Sequence, residues 1–168
     1  RKETYLMPGA LPTVTPSTIE DDLRRRDFTI NSMAIRIDGD HFGELLDPLN
    51  GQADLAEGLI RVLHPHSFID DPTRIFRAIR YAARYSFIFH PSTANLINSE
   101  SMDVIPRLSG ERIRHELDLI LDEPHSVKMI LRIANLGVLG AIHPKIPEFN
   151  ADYEDFLEMD MRLDVAAD

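Results

Sequence analysis

Arg25, Arg26, Asp27 and Asn31 fall within one short run, Arg-Arg-Asp-Phe-Thr-Ile-Asn, which continues through Ser32 and Met33 to Ala34. Guanidinium groups offer forked donors that match phosphate oxygens, and a neighbouring carboxylate can accept a hydrogen bond from a sugar hydroxyl. Two arginines, an acid and an amide against an apolar stretch therefore suit a polyphosphate and a ribose better than a purely structural element. A second cluster, Asp70-Asp71-Pro72-Thr73-Arg74, follows about forty-five residues later.

On a helical wheel of about 100° per residue, the segment after Asp71 separates into two faces. Ile75, Phe76, Ala78, Ile79, Ala82 and Ala83 form an apolar side, and Arg74, Arg77, Arg80 and Arg84 form a basic stripe opposite. A solvated basic face is one reading of that stripe. Asp71 and Arg74 stand one turn apart, so they can pair with each other, or they can jointly read a nucleobase. Cytosine and adenine both present an exocyclic amine beside a ring-nitrogen acceptor, which fits a carboxylate next to a guanidinium. Uracil and guanine present a carbonyl and an N–H there, and each mispaired group would cost roughly 1–3 kcal/mol. Arg77 and Arg80, further along the stripe, would then face phosphates.

The elements that must position these residues are those of an α+β protein. Residues 9–18 read as a proline-bearing loop, and Ser17 or Thr18 caps a helix over Ile19–Arg24 whose first turn carries Glu20, Asp21 and Asp22. Phe28 to Asp38 reads as a strand, Asp38-Gly39-Asp40 as a hairpin turn, and His41–Leu46 as the returning strand. A short helix over Gln52–Glu57 and a strand over Leu59–Leu63 complete this part. From Ser67 onward the apolar period becomes helical and no further strand is expected. Helices are expected over Asp70–Phe87, Ser92–Val104, Glu111–Leu121 behind a Ser109 cap, Pro124–Asn135 closed by Gly137, and Ala151–Leu163.

Composition narrows the class. The 168 residues, 43% hydrophobic and 27% charged, are those of a folded protein, enough for one ordinary domain or two small ones. No apolar run approaches the roughly 18 residues of a membrane span. With zero cysteines there is no disulfide framework or thiolate metal site, and a cytoplasmic protein is the default. The net charge of −10 is concentrated: from Glu148 to Asp168 eight acids face one base, which leaves −3 for residues 1–147. An acidic whole can thus still carry a basic groove, because screening limits each charge to roughly 10 Å. Any nucleic-acid partner would lie on the arginine-bearing part and not along the acidic end.

Read together, these segments resemble the class II tRNA nucleotidyltransferases and bacterial poly(A) polymerases. Arg25-Arg26-Asp27-Phe28-Thr29-Ile30-Asn31 looks like the ribose-selecting motif of that family. Asp47-Pro48, Gly51, Asp54-Leu55 and Ile60-Arg61 look like its hinge. Residues Asp70 to Arg80 are similar to its nucleobase-reading helix, with Asp70 where the family carries Glu. Glu111-Arg112-Ile113-Arg114-His115-Glu116-Leu117 resembles its neck motif. The resemblance covers about residues 1–125. It implies the C-terminal part of a nucleotidyltransferase head over 1–65, a helical neck over 66–125 and the start of a helical body over 126–168. It also implies that Arg26 contacts the incoming nucleotide, that Asp27 binds the ribose 2′-hydroxyl beside Asn31, that Asp71 and Arg74 serve as the amino-acid template for C and A, and that Arg77 and Arg80 bind triphosphate.

The implied reaction adds C and/or A from CTP or ATP to a tRNA or other RNA 3′ end, with release of pyrophosphate. A poly(A) polymerase of the same family and a non-catalytic RNA-binding module are the alternatives. The resemblance further implies Mg²⁺ held by an Asp-x-Asp pair that follows a glycine loop on a strand of the family's head. No such pair occurs here, since Asp38-Gly39-Asp40 has the spacing but sits in a turn. The stretch is therefore expected to be a fragment without the catalytic carboxylates, inactive by itself, with the metal bound mainly upstream. Glu3 is a candidate supporting carboxylate. His64, His66, Asp70 and Asp71 match no common metal spacing, and His115 reads as a packed or surface residue.

Overall fold

The computed structural model describes residues 1–146. Two short strands open the chain, β1 (Lys2–Thr4) and β2 (Thr13–Thr15), paired antiparallel with Glu3 opposite Val14. The second strand lies inside the stretch expected to be loop. Helix α1 (Ile19–Arg24) follows as expected, with Thr18 Oγ1 accepting from the Asp21 N–H at 3.2 Å.

The run after Asp27 departs from the expected strand. Residues Thr29–Asn31 form a 3-10 turn, and only Ala34–Ile35 (β3) and Leu45–Leu46 (β4) pair as an antiparallel ladder. The cause is local. Asn31 donates to the Asp27 carboxylate at 2.8 Å and Ser32 Oγ donates to the Phe28 carbonyl at 2.9 Å. Short polar side chains that satisfy nearby groups in this way compete with a strand ladder. A second 3-10 turn, Gly39–His41, occupies the expected hairpin turn.

Helix α2 (Gly51–Glu57) starts where Asp47 accepts from the Gly51 and Gln52 N–H groups at 2.6 and 2.9 Å. It ends at Gly58, whose φ of 67° supplies the left-handed stop. Strand β5 (Leu59–Ile60) then pairs parallel with β6 (Ile88–Phe89), a strand not expected in the helical part.

The long helix also breaks. Helix α3 (Ser67–Asp70) is separated from α4 (Thr73–Tyr85) by Asp71 in extended backbone, φ −141° and ψ 94°. Proline disfavours helical backbone in the residue before it, and Pro72 follows Asp71. The segment expected as one helix over Ser92–Val104 is α5 (Pro91–Ala94), α6 (Ser99–Met102) and, beyond it, a 3-10 turn at Ile105–Arg107. Helix α7 (Gly110–Leu121) has its Ser109 cap, and α8 (Ser126–Asn135) stops before Gly137, φ 76°, and α9 (Val138–Ile142). The expected helix over Ala151–Leu163 lies outside the described residues.

One core serves both the mixed and the helical parts. Phe28 and Ile60 are fully buried with Ile75, Phe76, Ala78 and Ile79 of α4, Ile120 of α7, and Met129 and Ile133 of α8. Burying such side chains contributes roughly 1.5–3 kcal/mol each. The apolar face of α4 thus fixes how the basic stripe is presented to the N-terminal elements.

Candidate functional site

Between β1, the Arg25–Asn31 turn and the start of α4 lies an open cleft of about 530 Å³. Its lining contains Glu3, Arg26, Asp27, Asn31, Asp71, Arg74 and Arg77, seven of the eight candidates from the sequence. The eighth, Arg80, is 7% exposed and lies outside that lining; it pairs with Glu123 at 3.5 Å and packs over the Tyr81 ring. Among the described residues Asp38 and Asp40 stay away from the cleft, at the far turn between β3 and β4.

Asp27 is held from two sides. Its Oδ1 accepts from the Phe28 N–H at 3.0 Å and from Asn31 Nδ2 at 2.8 Å, while Arg77 reaches Oδ2 through Nε at 2.7 Å. Burial alone would lower the Arg77 pKa, but the Asp27 carboxylate outweighs it and the guanidinium is held still more firmly charged. Arg26 lies at the rim with Asp22 at 2.8 Å, its side chain 44% exposed and able to turn toward a ligand.

Asp71 and Arg74 do not pair with each other. Asp71 Oδ1 takes Arg112 Nη2 at 2.7 Å and the Thr73 N–H and hydroxyl at 3.1 and 2.7 Å. Arg74 is 6% exposed, and its bonds go to neutral acceptors: Ser67 Oγ at 2.8 Å, Tyr5 Oη at 3.3 Å and the Arg25 carbonyl at 3.3 Å. A buried cation without a carboxylate is costly for stability alone, and it leaves the Arg74 positive charge directed at the cleft. The stripe of α4 is thus not a solvated face, since Arg74 and Arg80 are both buried.

The residues that spacing did not single out are those contributed from other elements. Tyr5 bridges Arg74 and Glu3, donating to Glu3 Oε2 at 2.9 Å, and burial raises its pKa. Glu3 also accepts from Arg25 at 2.7 Å. Glu116 of α7 lines the cleft base, is buried, and its Oε2 has no hydrogen-bond partner among the described residues. Desolvation pushes its pKa up, against the opposing pull of Arg77 and Arg80. Glu116 lies in the segment that resembles the neck motif, but nothing in its spacing placed it at the cleft.

The carboxylates here do not form a metal cradle. Glu3, Asp27 and Asp71 are each engaged by an arginine, and no group of three His, Asp or Glu side chains converges among the described residues. The cleft is suited instead to a polyanionic ligand with a hydrogen-bonding ring, and its volume is within the usual range of small-molecule sites.

Known proteins resemble this chain in sequence and fold. The family described as Poly A polymerase head domain matches residues 1–61, and the one described as Probable RNA and SrmB- binding site of polymerase A matches residues 86–150. An A-adding tRNA nucleotidyltransferase of Geobacter sulfurreducens is 49% identical over 147 residues, 87% of this chain and 17% of that relative. A solved CCA-adding enzyme in an apo form superposes with a TM-score of 0.84 at 42% identity, over 98% of this chain and 37% of that one. A CCA-adding enzyme solved with CTP gives a TM-score of 0.73 at 46% identity, over 76% of this chain and 31% of that one. The chain therefore spans well under half the length of each of these relatives. With head and RNA-binding segments matched in order and the arginine-lined cleft between them, the chain belongs to the class II tRNA nucleotidyltransferase and bacterial poly(A) polymerase family.

Proposed function

We propose that this chain is the nucleotide-selecting part of a template-independent RNA nucleotidyltransferase that adds C and/or A to tRNA 3′ ends. The observation that carries the reading is the buried Arg74 beside Asp71, each held by other residues and neither neutralising the other. Asp71 would accept from the exocyclic amine of C or A, and Arg74 would donate to the adjacent ring nitrogen. Across the cleft, Asp27 with Asn31 would take the ribose 2′-hydroxyl, and Arg26 and Arg77 the triphosphate. Arg80 would join them at the phosphates only by leaving Glu123.

In the complete protein the RNA 3′-hydroxyl would attack the α-phosphate, forming a phosphodiester while pyrophosphate departs. The divalent metal of this chemistry, Mg²⁺ in our reading, would be held mainly by carboxylates outside residues 1–146, with Glu3 no more than supporting. In this reading the head spans 1–65, the neck 66–125 and the start of the body 126–168; the head match ends at residue 61, and the second match, 86–150, runs across the neck–body boundary. No described helix is long and apolar enough to cross a membrane, and we place the protein in the cytoplasm. The A-adding relative favours tRNA tailing over poly(A) synthesis.

A single-nucleotide extension assay on the full-length protein, with 3′-end-labelled tRNA, tests this reading. Arg74→Ala should reduce preference for CTP or ATP over UTP and GTP by roughly ten- to a hundredfold, the effect of one or two mispaired groups. Undiminished selectivity would overturn the template assignment.

A further inference from the structure

We propose that Arg112, on α7, is the positioning residue for the Asp71 carboxylate, fixing which of its oxygens meets the nucleobase. This rests on the reading of Asp71 and Arg74 as the base-reading pair. A carboxylate on a flexible stem reads an amine poorly, because either oxygen can rotate into place and both can be drawn to other donors. In this structure one oxygen is used up. Arg112 Nη2, the Thr73 N–H and the Thr73 hydroxyl all converge on Oδ1, at 2.7, 3.1 and 2.7 Å. Oδ2 takes no hydrogen bond among the described residues, and since Asp71 lines the cleft it is the oxygen left to accept from a base.

Arg112 is itself anchored at its other nitrogen. Nη1 donates to the Gly9 carbonyl at 3.0 Å, and the Gly9 N–H donates to the Asp70 carbonyl at 3.2 Å. Gly9 has φ 75°, and a Cβ built there would stand 3.1 Å from Val104 Cγ1. Through Gly9 the β1–β2 loop thus meets Arg112, which holds loop and template residue together. Thr73 alone would hold Oδ1 from within α4. Arg112 adds a charged, forked donor from a second helix and a third contact point from the head, which sets the carboxylate plane. A forked guanidinium can do both, and a lysine ammonium can satisfy only one of them well.

The test is steady-state incorporation of each of the four nucleotides by the full-length protein carrying Arg112→Gln, Arg112→Lys or Asp71→Asn. Arg114→Ala is the control, its side chain being 82% exposed and paired, among the described residues, with Asp118. The expected result for Arg112→Gln is a KM raised roughly tenfold for CTP and ATP, with UTP and GTP little changed, as for one lost charge-assisted bond. Arg112→Lys should restore part of that selectivity. A merely structural role would shift all four nucleotides together, and that outcome overturns the proposal. If Arg112→Gln is too unstable to assay, Arg112→Lys decides: wild-type selectivity with that variant also overturns it. Selectivity lost in Asp71→Asn but intact in Arg112→Gln sinks the positioning role alone. Selectivity intact in both sinks the base-reading pair itself.

Discussion

Arg77 Nε and Nη2 both point at Asp27 Oδ2, at 2.7 and 2.5 Å, joining the Arg-Arg-Asp run to a helix fifty residues away. With Phe28 N–H and Asn31 Nδ2 on Oδ1, four donors meet a carboxylate that has about four lone-pair sites. Asp27 has no spare capacity. A ribose hydroxyl can be accepted only if a protein donor yields, and Arg77, 31% exposed on the cleft side, is the one able to move. If Asp27 takes the ribose hydroxyl as proposed, sugar binding and release of Arg77 toward the phosphates would be one event.

Asp27→Asn should accordingly weaken discrimination of ATP over dATP by roughly tenfold, the value of one hydrogen bond to a charged acceptor. The check is the ratio of kcat/KM for the two nucleotides in the full-length protein. An unchanged ratio would detach the ribose from Asp27.

Asp54 is the scaffold beneath this turn. Its carboxylate accepts from Thr29 Oγ1 at 2.6 Å and from Arg61 Nε and Nη2, both at 2.9 Å. Burial would raise its pKa, but Arg61 and Thr29 outweigh that and hold it below the usual carboxylate range. Asp54→Ala leaves Arg61 without its carboxylate, with His90 Nε2 still at 2.9 Å, and Arg61 is 35% exposed, so the loss falls at the low end for broken buried pairs, about 3 kcal/mol. Denaturant unfolding measures it. The stabilisation from this lowered pKa is present above the ordinary carboxylate pKa and fades as pH falls through the lower folded value, so wild type and variant should converge under acid conditions.

What the sequence showed best was local. Thr18 and Ser109 cap their helices where expected, because a cap and its first turn are neighbours in the chain. The break at Asp71 was written in the Asp-Pro pair, but the helical period of the flanking residues masked it. Strand β6 could not be seen, since its two residues acquire strand character only by pairing with Leu59 and Ile60. The site residues were legible as types and spacings, whereas their partners were not. Arg112 on Asp71 and Tyr5 on Arg74 connect positions 41 and 69 residues apart, separations that only the folded core closes.

Gly51 shows how tightly the site is backed. A Cβ there would lie 2.3 Å from the Thr29 carbonyl oxygen and 3.0 Å from Met33 Cγ. The first contact is backbone, so a side-chain rotation cannot relieve it. Gly51→Ala should cost about 2 kcal/mol, within the range for overpacking, and should displace the Thr29–Asn31 turn with Asp27 beside it. The expected signature is a lowered Tm together with weakened ATP binding; a variant as stable as wild type would refute the close packing.

Glu116 gives the opposite pH response to Asp54. It faces Arg77 and Arg80 of α4, His115 on its own helix and, more weakly, Asp71, yet desolvation dominates and raises its pKa above the ordinary 4.5. A carboxyl raised in this way binds its proton more tightly folded than unfolded. Its contribution is therefore most favourable below about pH 4.5 and is lost as pH rises through the raised value. Glu116→Gln carries no charge at any pH and escapes that loss. Relative to wild type the variant should gain Tm as pH rises from about 4.5 through the raised folded value, where a wild-type Glu116 must ionise with Oε2 unbonded. Thermal melts of both proteins across that range decide the matter. A flat difference, or one that grows in favour of wild type, would mean that the two arginines and not burial govern this carboxyl.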